Sequence, residues 1–84
     1  MQELNQQKIF WHSRRGMLEL DLLLVPFTID VFPQLSHLDQ ILYRDFLAEE
    51  DQDIFAWLMR RQGPSEVRFN EIIDKILAHN GNSN

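Results

Sequence analysis

Cysteine is absent from this 84-residue chain, which excludes disulfide staples and thiolate metal sites. The absence suits a reducing compartment. Glycines number only three and apolar–polar alternation is scarce, so strands have little support. Long apolar runs are missing too. The longest, Leu22 to Phe27, contains Pro26 and falls far short of the roughly 20 residues that span a bilayer; no membrane insertion is expected. The opening residues MQELNQQKIFWHSRRG hold no apolar core of a signal peptide and no Arg/Ser-rich transit character. A cytoplasmic protein without a targeting segment is the expectation. Finally, excess positive charge is lacking. Eight Lys and Arg stand against thirteen Asp and Glu, a net charge of −5, which leaves no source for the phosphate-driven affinity of nucleic-acid binders.

What is present is a small acidic chain with uneven charge. Residues 1–18 hold Lys8, Arg14 and Arg15 against Glu3, a net of +2, and the remainder carries −7. A protein partner with a mixed surface suits that dipolar layout. The length allows one domain, residues 1–84, whose core is a single layer of contacts with little room for a deep active-site cavity.

Helix punctuation recurs at short intervals. Asn5 is the expected N-cap of a first helix reaching Arg15, with Arg14 and Arg15 in its last turn and Gly16 as the left-handed residue after it. Its modest apolar content (Ile9, Phe10, Trp11) predicts a surface helix. Met17 to about Phe32 is apolar almost all round, as in a helix at the buried centre of a bundle. Leu20, Leu23, Leu24, Phe27 and Val31 form one face; Leu18, Leu22, Val25 and Ile29 form much of another. Pro26 should kink this helix near Leu22 and Pro33 should end it. Ser36-x-x-Asp39 opens a third helix through about Ala48, with Leu38, Ile41, Leu42 and Phe46 inward. The acidic run Glu49 to Asp53 caps a fourth, Ile54 to Arg61, before Gly63-Pro64 breaks the chain. Ser65 starts a fifth, in which Phe69, Ile72, Ile73, Ile76 and Leu77 keep helical spacing, and Asn80 to Asn84 reads as a frayed tail. The fold class is all-α, a compact five-helix bundle.

No catalytic constellation is visible. His12, His37 and His79 share no ligand spacing, so no metal site is expected. Gly-x-Ser-x-Gly and glycine-rich phosphate loops are missing. The run Glu49 to Asp53 lacks the glycine and the terminal glutamate of a calcium loop, and helix capping explains it better. Arg60 and Arg61 fit the dipole at a helix C-terminus, and Trp57 fits a packing role. Arg15-Gly16-Met17-Leu18-Glu19 is different. A helix–turn–helix junction accounts for the arginines and the glycine, but less well for Glu19. A guanidinium, bare backbone and a carboxylate on one exposed surface could orient a partner through charge-assisted hydrogen bonds. The residues by themselves leave a simple turn and a docking site equally open.

The segment from Lys8 to Asp21, followed by Pro26-Phe27, resembles the hallmark region of the SdhE family, called succinate dehydrogenase assembly factor 2 in mitochondria. Arg15, Gly16 and Glu19 match the family's Arg-Gly-x-x-Glu motif. A second block, Asp51-Gln-Asp53-Ile-Phe55-Ala-Trp57-Leu58-Met59 with Gly63-Pro64 after it, matches as well, so the likeness runs from about Lys8 to Leu77. It implies a five-helix bundle that binds the flavoprotein subunit of succinate dehydrogenase, and of fumarate reductase where present. It also implies a chaperone that promotes covalent attachment of FAD to a histidine of that subunit, without catalytic groups or a cofactor of its own. The implied contact surface is Arg15, Gly16 and Glu19, extended by Arg14, Met17 and Asp21. A monomeric free protein is expected. Two other readings stay open: an antitoxin-type regulatory binding module, and direct FAD binding. The second lacks a helix N-terminus or glycine loop shaped for a pyrophosphate.

Overall fold

Asn5 turns the chain into its first helix by accepting hydrogen bonds on its side-chain oxygen from the backbone N–H groups of Gln7 (2.8 Å) and Lys8 (3.2 Å), which would otherwise be orphan donors. In this computed structural model, which describes residues 5–82, five α-helices follow one another: α1 (Gln6–Ser13), α2 (Leu18–Asp30), α3 (His37–Leu47), α4 (Asp51–Leu58) and α5 (Phe69–Asn82). A short 3-10 turn, Phe32–Gln34, joins α2 to α3. Among the described residues there is no strand, and no helix is long and apolar enough to cross a membrane.

Helix α2 lies at the middle, packed on α1, α5 and α4, while α3 packs on α5 and α1. Leu20, Leu24 and Phe27 of α2 are fully buried, with Leu23 and Val31 packed against the core from its edge. They meet a chain of aromatic rings from α3, α4 and α5, in which Tyr43, Phe46, Trp57 and Phe69 lie within about ring-contact distance of one another. Phe69, Ile72, Ile73 and Ile76 are all buried, as their spacing predicts. Trp57 is a core residue.

Among the described residues no buried side-chain nitrogen or oxygen lacks a hydrogen-bond partner. The Thr28 hydroxyl reaches the Leu24 carbonyl and the Tyr43 hydroxyl, both at 2.8 Å. Burial pushes the Tyr43 phenol well above its ordinary range, against the lowering influence of the Thr28 hydrogen bond, so it stays neutral and serves as a core hydrogen-bonding group.

Several expectations need correction. Helix α1 stops at Ser13, because Arg14 is extended (φ −89°, ψ 106°), so neither arginine lies in its last turn. It is also less superficial than its composition predicts: Ile9 and Ser13 are buried. Helix α2 is not buried all round, since Leu18, Leu22 and Ile29 face solvent. It ends at Asp30, two residues short of the expected Phe32; Pro26 lies inside it as expected, with one lost backbone bond at the carbonyl of the exposed Leu22. The inward face of α3 is Leu42, Tyr43, Phe46 and Leu47, with Leu38 exposed and Ile41 half-buried. The pattern of single residues fits either face, and the aromatic Tyr43 settles the rotation.

Helix α4 begins three residues early, at Asp51, so that Asp51 and Asp53 occupy its first turn, where carboxylates complement the dipole. Its N-cap Glu50 makes no side-chain cap bond. Arg60 and Arg61 lie beyond the helix. Helix α5 starts at Phe69, after a run of turns from Ser65, and continues through Asn82 where a frayed tail is expected from Asn80. Residues 83 and 84 of that tail lie outside the described residues, as does Glu3 of the basic N-terminal segment.

Candidate docking site at the α1–α2 junction

Four residues, 14 to 17, carry the chain from α1 into α2. Gly16 adopts φ +80°, in the left-handed region that glycine enters without a Cβ penalty. A Cβ built there would meet no atom within 4 Å. Backbone conformation therefore demands glycine at this position, and internal crowding does not. The bare backbone faces solvent.

Arg15 is the residue the sequence reading places least well. Its side chain does not project outward beside Gly16 and Glu19; it folds across the molecule to the connection between α3 and α4. Its Nε donates to Asp51 Oδ1 at 2.6 Å, Nη1 to the carbonyls of His12 (2.8 Å) and Leu47 (2.7 Å), and Nη2 to the carbonyl of Glu49 (2.8 Å). The planar guanidinium fork serves this fan of acceptors, which an ammonium could not reproduce. The Leu47 carbonyl is one of those α3 leaves unpaired at its C-terminus. Arg15 is 15% exposed and Asp51 35%, so the pair is shielded more than an ordinary surface bridge. The Arg15 backbone N–H donates to Asp21 Oδ1 at 2.7 Å, so Asp21, half-buried in the first turn of α2, stitches the junction from the other side.

The remaining members of the predicted set stay outward. Arg14 is exposed, its guanidinium 5.7 Å from the centre of the exposed Trp11 indole, a cation–π distance. Met17 is half-buried and packs on the core as the N-cap of α2. Glu19 is exposed in the first turn of α2, and among the described residues its carboxylate has no hydrogen bond or ion pair. The structure thus divides the six: Arg14, Gly16 and Glu19 are exposed, while Arg15, Asp21 and Met17 are half-buried and hold the junction to the rest of the fold. Asp51 is the residue the motif reading missed. Its place in the second matching block is the only sequence-level hint that it meets Arg15.

Among the described residues no group of three His, Asp or Glu side chains could hold a metal ion. An open cleft of about 250 Å³ lies elsewhere, lined by Trp57, Arg60, Gln62, Gly63, Pro64, Asn70 and Ile73, and includes no residue of the motif.

Comparison with known proteins settles the family. Residues 7–80 match the family described as Sdh5, flavinator of succinate dehydrogenase. This chain belongs to that family. It is a family of assembly factors and not of enzymes. A protein of Pseudomonas putida named FAD assembly factor SdhE is 51% identical over 75 residues, covering 89% of this chain and 87% of its own. Its namesake in Pseudomonas savastanoi pv. phaseolicola is 44% identical over 77 residues, 92% of each chain. That of Haemophilus ducreyi is 38% identical over 78 residues, 93% of this chain and 95% of its own. The likeness takes in both the junction and Asp51, the two ends of the Arg15 clamp.

Proposed function

We propose that this chain is an FAD assembly factor that binds the flavoprotein subunit of succinate dehydrogenase, and of fumarate reductase where the cell has one. It promotes covalent attachment of FAD to a histidine of that subunit, and it acts in the cytoplasm as a monomer until it meets its partner. Family membership across residues 7–80 carries this reading. The junction supplies its physical content: an exposed left-handed glycine beside a carboxylate with no internal partner.

Bare backbone at Gly16 lets a partner's chain approach closely. The Glu19 carboxylate accepts charge-assisted hydrogen bonds from it. Arg15 acts at one remove, by fixing the loop that carries Gly16 to the α3–α4 connection, so that little ordering remains to be done on binding. The bond to FAD forms on the flavoprotein. This chain contributes by binding, and so favouring, a flavoprotein conformation in which the flavin and its acceptor histidine are held in attack geometry.

Deleting the gene and measuring covalent flavin fluorescence of the flavoprotein subunit on a denaturing gel tests the reading. Strong loss of signal, restored by the wild-type chain and not by Glu19→Ala, is the expected result. Undiminished flavin fluorescence in the deletion strain would overturn it.

A further inference from the structure

Helix α2 carries two apolar stripes on opposite sides. The first, Leu20, Leu24 and Phe27, is wholly buried. The second is Leu18, Leu22, Val25 and Ile29, spaced i, i+4, i+7, i+11 so that helical phase sets them in one line. Leu18 is 68% exposed, Leu22 63% and Ile29 54%, with Val25 half-buried. Isolated exposed leucines are ordinary; several in register on one helix mark an interaction surface. This line also starts inside the motif, since Leu18 lies between Gly16 and Glu19.

Charge indicates what covers it. The ionisable residues of α2 are Glu19, Asp21 and Asp30, all acidic. By helical phase Glu19 and Asp30 border one side of the stripe and Asp21 the other. Asp21 is engaged by the Arg15 backbone (2.7 Å) and Asp30 lies 3.3 Å from His79 Nε2, which leaves Glu19 as the free carboxylate at the edge. A second copy of α2 laid on the stripe would set Glu19 against Asp21 in a parallel pairing, where the two-fold exchanges the edges, or Glu19 against Asp30 in an antiparallel one. Either arrangement juxtaposes like charges. Three exposed side chains also fall well short of the roughly 800 Å² per partner that a stable interface buries. The cover must extend past the stripe, onto the adjoining Gly16 and Glu19.

We infer that the outer stripe of α2 is the apolar half of the docking surface, and that it seats against an apolar depression edged by Lys or Arg on the same flavoprotein subunit that engages Gly16 and Glu19. The inference rests on the preceding reading of the partner, and it adds to the motif a larger, hydrophobic contact with defined edge charge.

Calorimetric titration of the full chain into the purified flavoprotein subunit tests it. The double variant Leu22→Ser/Ile29→Ser should weaken binding about tenfold or more without lowering the unfolding midpoint. Leu22→Lys should bind about threefold or more weaker than Leu22→Glu, because the edge it meets is basic. A photo-crosslinking residue at position 22 should capture the flavoprotein subunit. If the double variant binds like wild type while Glu19→Gln or Gly16→Arg loses affinity, the stripe has no docking role and the partner reading stands. Leu22→Glu binding more weakly than Leu22→Lys overturns the basic edge. A wild-type dimer in sedimentation that Leu22→Ser dissociates assigns the stripe to a second copy and overturns the inference. Failure of the wild-type chain to bind the subunit overturns inference and partner reading together.

Discussion

Two connections in this bundle use the same local vocabulary to different ends. Each follows a short helix, each holds an adjacent pair of arginines, and each contains one residue with positive φ: Gly16 at +80° after α1, Arg60 at +57° after α4. The second is a Schellman closure. The N–H of Arg60 bonds the Trp57 carbonyl (3.1 Å) and that of Arg61 bonds the Ala56 carbonyl (2.8 Å). The arginines diverge most. Arg15 is shielded and reaches three acceptors across the fold and one nearby, whereas Arg60 makes one exposed bridge to Asp74 at 2.7 Å, with the two side chains 59% and 65% exposed. One connection is fastened across the fold and leaves the backbone of Gly16 exposed. The other merely ends a helix.

The largest expected effect falls on that fastening. Arg15→Ala leaves Asp51 and the carbonyls of Leu47 and Glu49 without their donor, and should cost about 3 kcal/mol of folding stability. Thermal unfolding would register this as a drop of roughly 12–24 °C for a domain of this size. Arg15→Lys should recover only part, because a point charge cannot serve the whole fan. An Arg15→Ala chain as stable as wild type, yet unable to bind the flavoprotein subunit, would reverse the comparison and make Arg15 a contact residue.

Gly16 comes next. Because nothing lies within 4 Å of a Cβ there, Gly16→Ala should cost only the left-handed penalty of about 1–2 kcal/mol in chemical denaturation. Gly16→Asn should cost less, since Asn tolerates the same region. Titration against the flavoprotein subunit separates conformation from contact. If Gly16→Asn restores folding and still binds poorly, the partner's approach needs the bare backbone. Full recovery of both would reduce Gly16 to a turn residue.

The contrast also shows what sequence reading can reach. Helix existence, the Asn5 and Ser36 caps and the buried face of α5 follow from spacing within one element, and the structure agrees on each. The left-handed Gly16 is legible for the same reason. Arg15 is misplaced because three of its four acceptors lie 32 to 36 residues away, beyond the reach of any local pattern. The outer stripe of α2 is misjudged because periodicity detects apolar faces without saying how many find cover. Only the packing of α1, α4 and α5 on the other side leaves Leu18, Leu22 and Ile29 in solvent. The family match spans both the motif at Arg15 and the block at Asp51, and it is the fold that brings the two together.

Smaller effects belong to the second connection. Arg60 occupies a position that glycine fills without strain, so Arg60→Gly should raise stability by up to about 1 kcal/mol, offset in part by the lost surface bridge, itself worth about 0–1 kcal/mol. A guanidinium titration resolves the net shift in midpoint. Destabilisation instead would show that the Asp74 bridge holds α4 to α5 and is more than surface decoration.

The smallest effect is one of pH. Asp45, near the end of α3, accepts hydrogen bonds from Arg44 (3.0 Å) and from Arg68 of the second connection (3.0 Å). Partial burial pushes its carboxyl upward, but the two arginines outweigh that and hold it below the usual carboxylate range. The unfolded chain, with an Asp value of about 3.9, therefore takes up this proton before the folded chain does as pH falls. Asp45 contributes stability that is fully present above that unfolded value and is lost as pH drops through the lower folded value. Asp45→Asn should consequently lower stability slightly at neutral pH and flatten the acid limb of a stability-versus-pH curve below about pH 4, with the curves converging at lower pH. Parallel curves would mean that the contact is steric, and that α3 holds the second connection by packing instead of charge.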